Sequence, residues 1–247
     1  MKIRKAILLP DIHYPEHSKS SMNLVKKFIK DFKPDEIIYQ GDNLDMDVIS
    51  HWNKDKKRKV ELKRLKNDYD GFDRDILKPI ESLVGKKTKF VWLNGNHEDW
   101  ANQYLDKNPE LEGIVEPEIC LNLEKRGYEF IPFNKIYKLG KLNIIHGYYT
   151  SKYHAAKTLD VFGESVCYGH LHSPQMQAKV KPIDTQEFHA AYGLPCLADL
   201  APDYMHNRPS AWINGFGVVY IMPDGTFNLY TIIIVNNRFV FNNKLYK

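Results

Sequence analysis

The sequence predicts an α/β fold in which two packed β-sheets carry helices on their outer faces. Three observations predict it. In the amino-terminal half, short apolar runs alternate with amphipathic stretches of helix length, as parallel strands joined by right-handed crossovers require. From Tyr128 the apolar runs shorten and tight-turn residues separate them. Five of the apolar runs end in carboxylates, imidazoles or amides, and open α/β sheets place ligands at the carboxyl ends of their strands.

Taken in order, Ala6 to Leu9 reads as the first strand. Ser20 to Phe32 is the first helix, with Leu24, Val25, Phe28, Ile29 and Phe32 at helical spacing and Pro34 to end it. A second strand carries Asp42 at its tip. Met46 to Leu83 reads as a long helical stretch broken around Gly71 and Pro79. The run Phe90 to Leu93 leads into Asn94-Gly95-Asn96-His97-Glu98-Asp99, a polar turn in which Gly95 permits a sharp bend and Asn94 or Asn96 is an ordinary helix cap. A helix follows from Asp99. Next come strands Glu129 to Phe133, Ile136 to Leu139 and Leu142 to Ile145, a helix Ser151 to Phe162, and a strand ending in His170. Met176 to Ile183, Gln186 to Ala191, Phe216 to Met222, Thr226 to Val235 and Phe239 to Leu245 read as antiparallel strands, with Pro223-Asp224-Gly225 and Asn236-Asn237 as hairpin turns.

The 247 residues, 43% of them hydrophobic, suffice for one substantial core, and a single domain spanning 1–247 is expected. A net charge of +4 is compatible with a phosphate-bearing ligand. Cys120, Cys167 and Cys196 are odd in number and scattered, which argues against a disulfide framework or a thiolate metal site and fits a reducing compartment. The first residues enter a strand at once, leaving no room for a signal peptide, and no run reaches membrane-spanning length. The expectation is a soluble cytoplasmic protein with no membrane partner.

The five polar strand ends are Asp11-Ile12-His13; Gly41-Asp42-Asn43-Leu44-Asp45; Gly95-Asn96-His97-Glu98; His146-Gly147; and Gly169-His170-Leu171-His172. In Asp11-x-His13 and His170-x-His172, alternate residues of an extended segment would share a face. A lone histidine is more often a satisfied polar residue than a ligand; five such ends in one chain require several coincidences on that bland reading. Carboxylates, imidazoles and an amide without thiolates suit manganese, iron, zinc or cobalt rather than calcium or an iron–sulfur cluster.

This ordered set resembles the calcineurin-like metallophosphoesterase superfamily. The motifs extend from Asp11 to His172, about two thirds of the chain; from Ser173 on, the resemblance to phage-type members is loose. It implies a four-layer αββα sandwich of two mixed sheets flanked by helices. It also implies two divalent metal ions, manganese first, with iron, zinc, nickel or cobalt as alternatives. Residue by residue, one ion would take Asp11, His13, Asp42 and His172, and the other Asp42, Asn96, His146 and His170, with Asp42 shared. The implied reaction is hydrolysis of phosphate esters by a metal-bridging hydroxide. His97 is implied as general acid or stabiliser of the leaving oxygen, with Asp45 as the partner that raises its pKa and keeps it protonated. The bland alternative for Asp45 is the N-cap of a following helix.

Protein serine/threonine phosphatases place Arg directly after the second aspartate, where this chain has Met46. The Gly-His-x-His ending is typical of phosphodiesterase and nuclease branches. A phosphodiester of nucleic acid or a nucleotide therefore ranks first as substrate, ahead of a phosphomonoester or phosphoprotein. The competing class is a non-catalytic metal-stabilised binding protein, against which the presence of His97 weighs.

Further candidates for substrate contact are His17, His51, Trp52, His206 and Arg208, with surface polarity as the bland reading. Arg208 could supply the phosphate fork absent at Met46. The run Lys54, Lys56, Lys57, Arg58, Lys59, Lys63, Arg64 and Lys66 reads either as a solvated helix face over Val60, Leu62 and Leu65 or as a nucleic-acid track. Tyr148, Tyr149 and Tyr153 are candidates for base stacking or for rim packing.

Overall fold

The computed structural model describes residues 2–180, 183, 188–202, 205 and 209–247, without the side chain of Lys57. Its first sheet is built by strands β1 (Arg4–Leu9), β2 (Glu36–Gln40), β3 (Lys89–Leu93) and β4 (Tyr128–Ile131), all parallel and in that spatial order. Beyond β1 the sheet continues antiparallel through β10 (Gly215–Ile221) and β11 (Phe227–Ile233). The second sheet has the order β5 (Tyr137–Leu139), β6 (Leu142–Ile144), β7 (Val166–Tyr168), β9 (Phe188–Gly193), β8 (Gln175–Val180). A small hairpin, β12 (Phe239–Phe241) and β13 (Lys244–Tyr246), follows.

Strand periodicity sorts side chains into layers. From β1, β2 and β3, Ala6, Leu8, Ile38, Val91 and Leu93 face Leu139, Leu142, Ile144 and Cys167 of the second sheet and form the core between the sheets. The alternate residues Ile7, Leu9, Ile37, Tyr39 and Trp92 face outward onto α1 (Lys19–Phe32), α3 (Leu65–Phe72) and α4 (Lys78–Leu83). On the far side, Val166, Tyr168 and Ala191 pack against Ala155 and Leu159 of α7 (His154–Phe162). Helix, sheet, sheet and helix thus make four layers. Each buried Leu or Ile there contributes roughly 1.5–3 kcal/mol of transfer free energy.

Local chemistry explains where the elements stop. The Ser18 hydroxyl accepts a hydrogen bond from the Ser21 N–H to start α1, and Lys33 ends it in a left-handed conformation, φ 51°, before Pro34. After β3, the N-cap of α5 (Asn96–Leu105) is Gly95, neither Asn94 nor Asn96. The Asn94 side chain instead accepts from the Trp92 indole at 2.8 Å.

Three expectations need correction. Met46 to Leu83 is not one stretch broken at Gly71 and Pro79: up to Arg64 it holds only a 3₁₀ turn, His51–Asn53, and the four-residue α2 (Lys57–Val60), while α3 and α4 join through a π turn, Asp73–Leu77. That wide turn sits just before Pro79 and accommodates its missing N–H. The strand β9 pairs antiparallel with β8 but parallel with β7. Phe239 to Leu245 is a hairpin because Asn242 and Asn243 both take positive φ, 47° and 58°, the combination a two-residue type I′ turn needs. Gln186 lies outside the described residues, so β9 is seen from Phe188. Among the described residues no helix is long and apolar enough to cross a membrane.

Gly71 is a packing contact in mid-helix. A Cβ there would lie 2.8 Å from ring carbons of Tyr14, whose hydroxyl donates to Asp75 at 2.9 Å. Gly71→Ala should gain about 0.5–1 kcal/mol of helix propensity and lose about 1–3 kcal/mol to overpacking. The expected net result is a lowered urea midpoint; a raised midpoint would show that the Tyr14 ring swings aside freely.

Candidate metal centre

The loops after β1, β2, β6 and β7 and the first turn of α5 converge at one end of both sheets. Two groups of donors come within 4.8 Å of one another, Asp11 with His13 and His172, and Asp42 with His146 and His170. A third grouping, His13 with Asp42 and His97, overlaps them. The His146 Nε2 lies 3.2 Å from Asp42 Oδ2 and 3.0 Å from Asn96 Oδ1. His13 Nε2 is 3.7 Å from the same Asp42 oxygen, and His172 Nε2 is 3.4 Å from Asp11 Oδ1.

These contacts fit cations. His13 and His172 point their Nε2 atoms at each other across 3.2 Å, a contact in which only one ring can donate, whereas a cation satisfies both lone pairs. On two of the candidate ligand rings, His13 and His146, the opposite nitrogen is tied back as in metal-ligating histidines, whereas the buried Nδ1 atoms of His170 and His172 have no hydrogen-bond partner among the described residues. His13 Nδ1 faces the Asp45 carboxylate at 3.1 Å, and His146 Nδ1 faces the Gln40 carbonyl oxygen at 3.1 Å. Burial opposes a charge on either ring, yet Asp45 and Asp42 raise the His13 pKa to about 9, and Asp42 raises that of His146 to about 9. Burial works against ionised Asp42 too, but His146 and His97 hold its pKa well below the carboxylate range. The potential at the site is one that attracts positive charge.

The backbone that delivers the donors is not extended. Asp11, His13, Asp42, His170 and His172 have φ of 48, 53, 47, 70 and 58°, a left-handed region sparsely populated by residues other than glycine. The shared face of Asp11 with His13 and of His170 with His172 comes from these tight loops, not from strand alternation. Such strain clusters at functional sites, where the surroundings over-determine it. Two glycines allow the approach: a Cβ on Gly95 would fall on the Asp42 carboxylate, and one on Gly169 would fall on that of Asp11.

Asp45 differs from its expected part. No helix begins there, so it caps nothing, and its carboxylate serves His13 first. His97 Nδ1 bonds instead to the Asp45 backbone oxygen at 2.8 Å, with the Asp45 carboxylate 3.7 Å away. Burial, aided by His13, outweighs Asp42 and Asp45 and lowers the His97 pKa, where the sequence had suggested that a carboxylate partner would raise it.

Glu98 is the residue that the motif reading passed over. It is wholly buried, and its carboxylate accepts backbone N–H bonds from Asp42 at 2.9 Å, Asn43 at 2.6 Å, Leu44 at 3.0 Å and Gly95 at 2.7 Å. Burial and Asp42 push its pKa up to about 7 against the pull of those N–H groups. Its sequence signal is a capping box, a Glu three residues after the cap position.

His13, Asp42, Asn96, His170 and His172 line a cleft of about 450 Å³. His97, Trp52, Trp100 and Trp212 line it as well, with Lys56 and Lys59. The Trp100 ring lies 4.0 Å from that of His97, and Trp212 lies 4.1 Å from His172. Neither Trp100 nor Trp212 stood out in the sequence, although Trp100 is one turn beyond His97. His17 does not line the cleft; it is buried, stacked on Tyr14 at 4.9 Å. His51 lines the neighbouring cavity. Arg208 and His206 lie outside the described residues. Met46 is buried in the core, so position 46 offers nothing to the cleft. Tyr148 stacks on Phe162 at 6.1 Å. The basic run forms no continuous helix face: Lys59 and Lys63 bond to Asp47, and Lys66 pairs with Asp70.

No protein-family model matches the chain. It is 24% identical over 181 residues to the Gene 54 protein of Mycobacterium phage L5, covering 68% of this chain and 69% of that protein. The Gene 54 protein of Mycobacterium phage D29 is 25% identical over the same length and shares. Among solved structures, Vps29 of Entamoeba histolytica in complex with zinc has a TM-score of 0.45 at 11% identity, covering 94% of this chain and 93% of that one. A conserved protein of Streptococcus pneumoniae described as a predicted phosphoesterase has a TM-score of 0.41 at 13% identity, covering 99% and 97%.

Glu98→Gln turns two of the four acceptor positions into an amide that cannot accept, and leaving buried N–H groups unmet costs about 1–3 kcal/mol each. The variant should unfold at lower urea and retain less divalent metal after dialysis than the parent, although Glu98 is not among the donors. Unchanged metal content by elemental analysis would show that Asp42 holds its place without the clamp.

Proposed function

We propose that the chain is a metal-dependent phosphoesterase of the calcineurin-like kind, with phosphodiesters of nucleic acid or nucleotides as substrates. The observation that carries this reading is the placement of Asp42 with His146 and His170 in one donor group and 3.7 Å from His13 of the other, beside His97, in a cleft that also presents lysines. Asp11, His13, Asp42 and His172 would hold one divalent ion and Asp42, Asn96, His146 and His170 a second. When bound, such ions supply Lewis acidity towards the phosphoryl oxygens and lower the pKa of water.

The chain's own groups have distinct tasks. Asp45 and the Gln40 carbonyl fix the ring tautomers of His13 and His146, so that Nε2 of each faces inward. His97, its Nδ1 engaged by the Asp45 carbonyl oxygen, offers Nε2 to the cleft to exchange a proton with the ester oxygen. Lys56 and Lys59 supply positive charge for the phosphate, without the planar fork of a guanidinium. That difference, with three tryptophans around the cleft, favours a diester bearing aromatic groups over a phosphoprotein. A metal-stabilised scaffold without turnover would have no use for a proton-exchanging ring at that point.

Prolonged chelation should abolish hydrolysis of bis-p-nitrophenyl phosphate and manganese should restore it; full activity in protein free of metal by elemental analysis would end the proposal. Asp42→Asn, which touches both groups, should lose more metal than His172→Ala, which touches one.

His97→Ala should slow turnover by on the order of 10²–10⁴-fold with metal content nearly intact, and the loss should shrink for good leaving groups such as nitrophenolate. Equal losses for good and poor leaving groups, or loss of metal, would assign His97 to the ligands and not to proton transfer.

A further inference from the structure

Beside the cleft lies a larger cavity, about 680 Å³, well beyond the needs of a phosphate group and within the range of small-molecule sites. The two spaces share a wall, because Ser50, Asn53 and Trp100 line both. On its cleft side Trp100 lies 4.0 Å from His97. A group attached to a phosphate at His97 therefore has a short route past the indole into the second cavity.

The lining of that cavity has a definite chemistry. Val48, Ile49 and Val60 give it apolar surface, and Trp100 and Tyr104, four residues apart on one face of α5, give it two aromatic rings. Gln103, Asn108 and His51 add hydrogen-bonding groups. Lys54 and Lys107 add positive charge, accompanied by the single carboxylate of Asp55. Flat apolar faces, amide groups and cations together match a nucleobase carrying a neighbouring phosphate, since base–aromatic stacking tolerates any base and the cations meet the backbone charge. The basic segment has a place in this arrangement too. Lys54 lines the cavity, whereas Lys56 and Lys59 line the cleft, so that the segment runs along both.

We propose that this second cavity is a nucleoside subsite, seating the base next to the scissile phosphate against Trp100 and Tyr104. The assignment of the scissile phosphate rests on the phosphoesterase reading of the cleft; the base-binding chemistry of the cavity does not. The substrate then carries at least one nucleoside on the scissile phosphate, and the base is held by stacking with little sequence preference.

The probe is a phosphorothioate-linked adenosine dinucleotide, which keeps both bases and the backbone charge and resists hydrolysis, titrated into the full chain as purified while tryptophan fluorescence is followed. Saturable quenching is expected, and Tyr104→Ala should weaken it by about 10-fold or more, as loss of one stacked base implies. Tyr104→Phe, which keeps the ring, should bind as the parent does, and equal melting temperatures of the three proteins would exclude a folding defect. Absence of saturable quenching, or equal affinity of the parent and Tyr104→Ala, overturns the subsite. If no phosphate ester is turned over with manganese but probe binding still depends on Tyr104, the phosphoesterase reading fails and the nucleoside subsite stands. If turnover is found and binding ignores Tyr104, the subsite alone falls.

Discussion

The wholly buried carboxylate of Glu98 gathers four backbone N–H groups from two separate loops, Asp42, Asn43 and Leu44 after β2 and Gly95 before α5. Without it, three consecutive amides and a helix N-terminus would have to find acceptors in a region with little water, and unmet buried donors are costly. The clamp fixes the peptide that bears Asp42 relative to the start of α5. The return contact follows from that placement: Asp42 Oδ1 accepts the His97 backbone N–H at 3.0 Å. Asn96 and His97 are thereby held to Asp42, the carboxylate on which the donor groups meet.

Strain in the loops and charge in the cluster are two sides of one arrangement. Five donors sit in left-handed backbone, which costs of order 1–3 kcal/mol apiece for residues with a Cβ. Hydrogen bonds offset part of this, as where the His170 N–H donates to both oxygens of Asp11 at 2.8 and 3.0 Å. Cation binding would offset more, by cancelling the repulsion between the buried carboxylates of Asp11 and Asp42.

Much of this was legible in the sequence because it follows from period and order. The strand ends that carry Asp11, Asp42, Asn96, His146 and His170 are short apolar runs with a polar stop, and the structure gathers them at one edge. The conformations of the loops were not legible: Asp-x-His reads identically whether extended or left-handed, and only packing against Gly95 and Gly169 decides. Neither could the sequence tell which atom of Asp45 serves which ring, since its carboxylate and its carbonyl lie within one residue. The stretch from Met46 to Arg64 misled for another reason. Its shape is set by one carboxylate, Asp47, which holds Asn53, Lys59 and Lys63, and such an ionic hub has no periodicity to read.

The donor groups also tie the two sheets together. Asp11, His13 and Asp42 stand on loops of the first sheet, while His146, His170 and His172 stand on loops of the second, so that the Asp11–His13–His172 group and the Asp42–His146–His170 group each draw from both. The sheets are therefore held in register at this end by more than the apolar core between them. Gln40, the last residue of β2, donates from its side chain to the Ile145 carbonyl at 3.1 Å, and its own carbonyl faces His146 Nδ1. Apolar contacts resist separation but are tolerant of sliding, because they are non-directional. Directional bonds at the sheet end remove that freedom, and a cation bound between the sheets would remove more of it. A ligand that binds only the folded state stabilises it by mass action. Cation binding at this edge would therefore stabilise the packing of one sheet on the other as well as assemble the chemistry in the cleft.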